Sequence, residues 1–216
     1  MNEVEEAIAL LANSQSGKRT SGAKRLRKLG DPFAGPALLA ALRKEMHDPR
    51  TWEPKYHMIL ALAFVGHSEA IPYLWELTAI PTPHTTIYSG LGDAIVRLHH
   101  RSTSDLSAVL EIMQTRNFPL INGAFRAMAM LRLIPAEHEI SAIIDMARNP
   151  IAEQELGGTP KLKPGLRKWV AVAAAGWPHN DRVLGFLHEC EQYVNRDLDI
   201  AARDALAGKY GKWQPY

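Results

Sequence analysis

The 216-residue chain holds a single cysteine, Cys190. One thiol excludes an internal disulfide and fits a reducing compartment. Charge of one sign is scarce as well. The formal net charge is +2 and the pI is near 8.7, whereas nucleic-acid binders usually show a stronger imbalance. Long apolar runs are missing. The longest, Met58 to Val65, is far too short to span a membrane. The acidic start, MNEVEEAIALLAN, lacks the basic region and long apolar core of a secretory signal. These absences lead to the expectation of a soluble, cytoplasmic protein with no membrane partner. Catalytic signatures are absent too. There is no G-x-x-x-x-G-K-[ST] loop and no H-E-x-x-H. Gly90-Leu91-Gly92 sits in a helical pattern without the third glycine or preceding strand of a dinucleotide site. The nine histidines show no ligand spacing. The chain is therefore expected to be no enzyme, with no catalytic residue, metal or cofactor.

What is present is a repeat. The stretch from Pro54 to Ile80 reads as a helical hairpin. Met58, Leu62 and Val65 stripe its first helix, Gly66 ends it, His67-Ser68-Glu69 turns the corner, and Leu74 and Leu77 stripe the second. A lone hairpin cannot bury both faces, so it needs neighbours of its own shape. Equivalent ends of first helices stand at Gly30, Gly66, His99, Arg132, Gly176 and Gly208, spaced 36, 33, 33, 44 and 32 residues apart. Seven before each anchor stand Ala23, Ile59, Gly92, Phe125, Trp169 and Ala201, which places Trp169 in the core. Four before stand Leu26, Leu62, Ile95, Met128, Val172 and Asp204, and one before stand Leu29, Val65, Leu98, Leu131, Ala175 and Ala207. Offsets of three and four share one helical face. Five before, the four central members are Ala61, Ala94, Ala127 and Ala171, as expected where helices approach closely, and the outer two are Arg25 and Arg203. Second helices are expected over 36–46, 72–79, 104–114, 136–148 and 181–192, with Pro36 and Pro72 in first turns and Ser104 and Asp181 as caps. Residues 3–13 read as an additional capping helix, and 13–21 as a polar connection.

The pieces LRKLGDPFAGPALLAALRK (26–44) and LAFVGHSEAIPYLWEL (62–77) resemble HEAT repeats, in particular the bacterial HEAT-like or phycobilisome-lyase-like group. The order leucine, glycine, turn, proline, leucine carries the resemblance, which is strongest over 20–79 and extends over about 20–208. It implies an all-α fold: one domain over 1–216, a right-handed α-solenoid of five to six HEAT-like hairpins behind an N-terminal capping helix, with second helices on the concave side. It implies no lyase activity, because the repeat is shared by many non-enzymes. Two HEAT-like enzyme families differ from this sequence at their sites. Deoxyhypusine hydroxylases bind two irons through repeated His-Glu pairs, and only His138-Glu139 and His188-Glu189 occur here, at different heights on their helices. Alkylpurine DNA glycosylases hold a cationic base with an Asp between tryptophans. Asp93 has no Trp one turn away, and Pro178 breaks the helix between Trp177 and Asp181.

Binding residues are read from charge and from irregularity. Glu111, Asp145 and Glu189 recur at one offset on successive second helices, with Glu76 and Glu139 nearby. An acidic inner surface suits a basic protein partner, so the expected function is a protein-binding scaffold, of the inhibitor or immunity type, clamping a basic partner. Trp52, between two units, reads either as a staple ahead of its helix or as an exposed anchor. The irregular spacing comes from residues 149–164, an expected loop with Gly157-Gly158 and the Lys161/Lys163 pair, offered as a partner-specific feature. The alternative function, a nucleic-acid-binding HEAT-like protein or base-repair glycosylase, rests on the cluster Lys18, Arg19, Lys24, Arg25, Arg27 and Lys28. Asp93 and Arg126 share an offset and are expected to pair. Cys190 reads as a small buried hydrophobe, and the aromatic tail 209–216 either as a cover for the last helix or as a partner contact.

Overall fold

The computed structural model describes residues 2–156 and 165–211, and over them the chain is all-helical with no strand. It divides into two compact units, 1–99 and 100–216. The first contains α1 (Glu3–Leu11), α2 (Ser16–Leu29), α3 (Gly35–Glu45), α4 (Glu53–Phe64), α5 (Ile71–Thr78) and α6 (Thr85–His99). The second contains α7 (Ser107–Gln114), α8 (Phe118–Met130), α9 (Glu137–Ala147), α10 (Pro150–Glu155), α11 (Arg167–Ala173), α12 (Asp181–Glu191) and α13 (Arg196–Leu206).

In the first unit α2, α4 and α6 form one layer, with α4 in the middle. Ten consecutive residues of α4, Pro54 to Ala63, are buried. A helix apolar on all sides belongs inside a stack, and α4 is packed by α2, α6 and α3. Each second helix lies closest to the first helix that follows it: α3 on α4, and α5 on α6. The hairpin seen in the sequence is thus a unit of chain more than a unit of packing. The second unit repeats the scheme. α8, α11 and α13 form a layer, α7 packs on α8, and α12 packs on α13.

The anchors are real helix stops. Gly30, Gly66, Gly208 and Arg132 all have positive φ, 65°, 71°, 65° and 55°. At three of them the next residue's N–H reaches back across the turn: His67 to Leu62 O at 3.1 Å, Leu133 to Met128 O at 3.0 Å, and Lys209 to Asp204 O at 2.7 Å. This is the Schellman arrangement, which satisfies carbonyls left over at a helix end. Of the core columns, the positions seven before the anchors are all buried, Trp169 included at 8% exposure. Ala61, Ala94, Ala127 and Ala171 are fully buried, while Arg25 and Arg203 are exposed.

Several expectations are corrected. The column one before the anchor is not core: only Val65 is buried, and Leu29 is 39% exposed. That position falls where the helix unwinds and the neighbour ends too. Residues 13–21 are not a connection, because α2 begins at Ser16. Its polar and small residues face α1 closely: a Cβ on Gly22 would lie 2.8 Å from Ala7 O, and Thr20 is buried. Ser104 does not cap a helix. α7 starts at Ser107 behind Leu106, which makes no side-chain cap, and Asp105 Oδ1 accepts Ser107 N–H at 3.2 Å. The cap of α12 is Asn180, not Asp181, with its side chain accepting Val183 N–H at 3.0 Å. The 149–164 stretch is not wholly loop: Pro150–Glu155 is helical behind an Asn149 cap.

Candidate partner-binding surfaces

The acidic positions divide by environment. Glu76 on α5 and Glu111 on α7 are exposed. Asp145 on α9 accepts a hydrogen bond from Arg182 on α12. Glu189 accepts from Arg148 at 2.8 Å and from Arg167 at 3.5 Å. Three arginines therefore answer two of the four carboxylates. Arg148 also lies over the Phe186 ring at 5.7 Å and Arg167 over Tyr193 at 5.0 Å, so these guanidiniums are held by packing as well as by charge. Sequence spacing found the carboxylates in register but not the arginines, which come from other elements.

The basic cluster is also partly committed. Arg19 donates to both carboxylate oxygens of Glu45, at 2.6 and 2.9 Å, and to the carbonyls of Asn13 and Ser14 at 3.0 and 2.9 Å. Glu45 is buried and also accepts from the Thr51 hydroxyl at 2.6 Å. Lys24 pairs with Glu53 at 3.1 Å. Lys18, Arg25 and Lys28 remain exposed on α2. Lys161 and Lys163 lie outside the described residues. Asp93 is buried and pairs one turn along its own helix with Arg97 at 2.6 Å.

Trp52 stands at the N-cap of α4, 37% exposed, and stacks on His84 with ring centroids 5.9 Å apart and 27° between planes. Trp177 is structural: it is buried, and its Nε1 donates to Leu133 O at 3.0 Å. Tyr210 in the tail lies against Gly176, whose added Cβ would sit 1.7 Å from the tyrosine oxygen, and under the Arg132 guanidinium at 4.4 Å. Residues 212–216 lie outside the described residues. Cys190 is fully buried, and burial pushes its thiol up to about 12, so it stays protonated and inert.

Sequence reasoning missed one surface. At the turn end of the first unit, Phe64 lies between two guanidiniums, Arg27 at 5.8 Å and Arg97 at 4.8 Å from its centroid. Phe64 is 36% exposed. The first turn packs on the second at two points: a Cβ on Gly30 would lie 3.7 Å from Phe64 O, and one on Gly35 would meet the His67 ring at 2.5 Å. Between them the first turn carries Phe33, 69% exposed, and Leu29, 39% exposed, ends α2 just before it. Arg25 and Lys28 are exposed on the adjoining turns of α2. Phe64 stands two before its anchor, an offset outside the core columns, and that was the signal available. No known family model matches this sequence, and no curated protein matches it.

Proposed function

We propose that the chain is a non-enzymatic, HEAT-like protein-binding scaffold, a right-handed helical repeat acting in a reducing compartment. The observation that carries the reading is the turn end of the first unit, where Leu29, Phe33 and Phe64 are exposed beside Arg25, Arg27 and Lys28. Large exposed apolar side chains grouped among cations mark contact sites. The segment they suit is an apolar protein side chain flanked by carboxylates. A basic partner has less support, since Asp145 and Glu189 already hold arginines.

The test is capture by the immobilised full chain from lysate of the source organism, with and without nuclease, followed by mass spectrometry. The expected result is a stoichiometric acidic protein that survives nuclease. Phe33→Ser leaves the melting temperature unchanged, because Phe33 is exposed, and weakens capture about tenfold or more. Capture unaffected by Phe33→Ser but lost in Glu76→Lys/Glu111→Lys would replace this reading with the basic partner. Recovery only of proteins that vanish with nuclease would reject a protein scaffold.

A further inference from the structure

Beside the turn end, the first unit has a second feature that the scaffold reading does not use. Residues from the end of α3 to the start of α6 line an open-mouthed pocket of about 220 Å³. Met46, Leu77, Ile80 and Ile87 supply apolar walls, and Pro81 and Pro83 stiffen one side. The loop there is further fixed by His84 N–H donating to Thr82 Oγ1 at 3.2 Å. The cavity is therefore formed in advance of any occupant.

Lys55 on α4 lines this cavity and is only 6% exposed. Its Nζ donates to a single carbonyl, Asp48 O, at 2.6 Å. An ammonium has three donors. The two carboxylates whose field reaches it are held by other groups, Glu45 by Arg19 and Thr51, and Asp48 by Arg50. Lys55 forms no ion pair among the described residues. A buried charge is costly without a counter-charge. Burial accordingly pushes the amine below its ordinary value, while Glu45 and Asp48 pull it the other way.

We propose that this cavity is a binding site for a small apolar monocarboxylate, with the carboxylate on Lys55 Nζ and the hydrocarbon body against Met46, Leu77, Ile80 and Ile87. Its size sets the class. A volume of about 220 Å³ lies below the roughly 300–1,000 Å³ of pockets that take drug-sized molecules, so the occupant is a single ring or a short branched chain. The charge sets the head group: one carboxylate fills the donors that the Asp48 carbonyl leaves, as a charge-assisted hydrogen bond to a buried ammonium.

The test uses the full chain with benzoate as probe and benzyl alcohol as its neutral counterpart, followed by methyl proton–carbon NMR of Met46, Leu77, Ile80 and Ile87. Benzoate is expected to shift these four residues saturably, and benzyl alcohol to bind about tenfold more weakly or worse. Lys55→Met, with its methyl dispersion intact, is expected to lose benzoate binding to the same extent. The comparison of the two probes needs no variant, so it decides the matter even if Lys55→Met does not fold. No saturable shift up to roughly 20 mM benzoate, equal affinity for benzyl alcohol, or undiminished binding to folded Lys55→Met would each overturn the proposal.

Discussion

His57 is an imidazole with little to gain from a proton. It lies on α4, 5% exposed, with the Tyr56 ring edge-on at 5.1 Å and no hydrogen-bond partner for Nδ1. Burial first, then the positive fields of Lys24 and Arg27, hold it down to about 4, against a weaker opposing pull from Glu53. The unfolded chain takes up a proton near the ordinary value of 6.5 and the folded chain does not until about 4. Between these values the unfolded state binds more protons, so stability is present above pH 6.5 and is lost as pH falls toward 4. Between pH 7 and pH 4.5 this is worth roughly 2–3 kcal/mol. Carboxylates in general begin to protonate toward pH 4, so the clean readout is a difference. Urea unfolding of the chain and of His57→Leu at pH 7 and pH 4.5 is expected to show the gap between them shift by that amount in favour of the variant at low pH. A constant gap would mean that water reaches the ring. At this scale the sequence was legible where periodicity decides burial. Trp169 and the four central alanines stand where spacing put them, because a helical offset fixes which face a residue shares. It was not legible at Leu29, because spacing alone does not tell where the neighbouring helix ends.

The elements are held together in part by one clasp. Arg19 reaches from the first turn of α2 to Glu45 at the end of α3 and to two carbonyls between α1 and α2, while Thr51 ties Glu45 toward α4. The Arg19 side chain is 13% exposed and that of Glu45 5%. Removing one partner leaves a buried charge alone, which costs about 3 kcal/mol or more. Arg19→Ala is therefore expected to lower unfolding free energy by that amount, measured by urea titration. Arg19→Lys is expected to recover little of it, since an ammonium cannot make the paired contact. A loss under about 1 kcal/mol would class the pair with exposed ones. This clasp was invisible in the sequence, where Arg19 belongs to a run of six cations. The run looked like a surface because its members are neighbours in the chain, whereas the acids that answer them lie 26 and 29 residues further on. The start of α2 was hidden for a related reason. Ser16, Gly17, Ser21 and Gly22 are poor helix formers taken singly, but the close approach to α1 needs small residues such as Gly22. Helix stops were the most legible elements, because left-handed geometry is a local demand that glycine meets; Arg132 adopts it at φ 55° without being glycine.

Over the whole chain, 25 basic and 23 acidic residues nearly cancel, and what matters is which of them are committed. The acidic positions were read from spacing alone, and the arginines that hold Asp145 and Glu189 came from elsewhere, so these two carboxylates are partly neutralised. The same accounting bears on nucleic acid. Of the cluster on α2, Arg19 and Lys24 are tied to Glu45 and Glu53, and Arg27 lies over Phe64. Lys18, Arg25 and Lys28 remain, a stripe able to meet three phosphates at most. Each phosphate neutralised on a duplex contributes about 0.9 to the fall of log K with log salt, so a contact made through these three has a slope no steeper than about −2.7. Fluorescence anisotropy of a labelled duplex at 50, 100 and 200 mM salt reads this directly. The expected result is weak binding with a slope in that shallow range, reduced by about one for each of Lys18→Gln, Arg25→Gln and Lys28→Gln. A slope steeper than roughly −4 would require cations beyond this stripe. It would then favour phosphate backbone over protein as the natural occupant of the chain's basic surfaces.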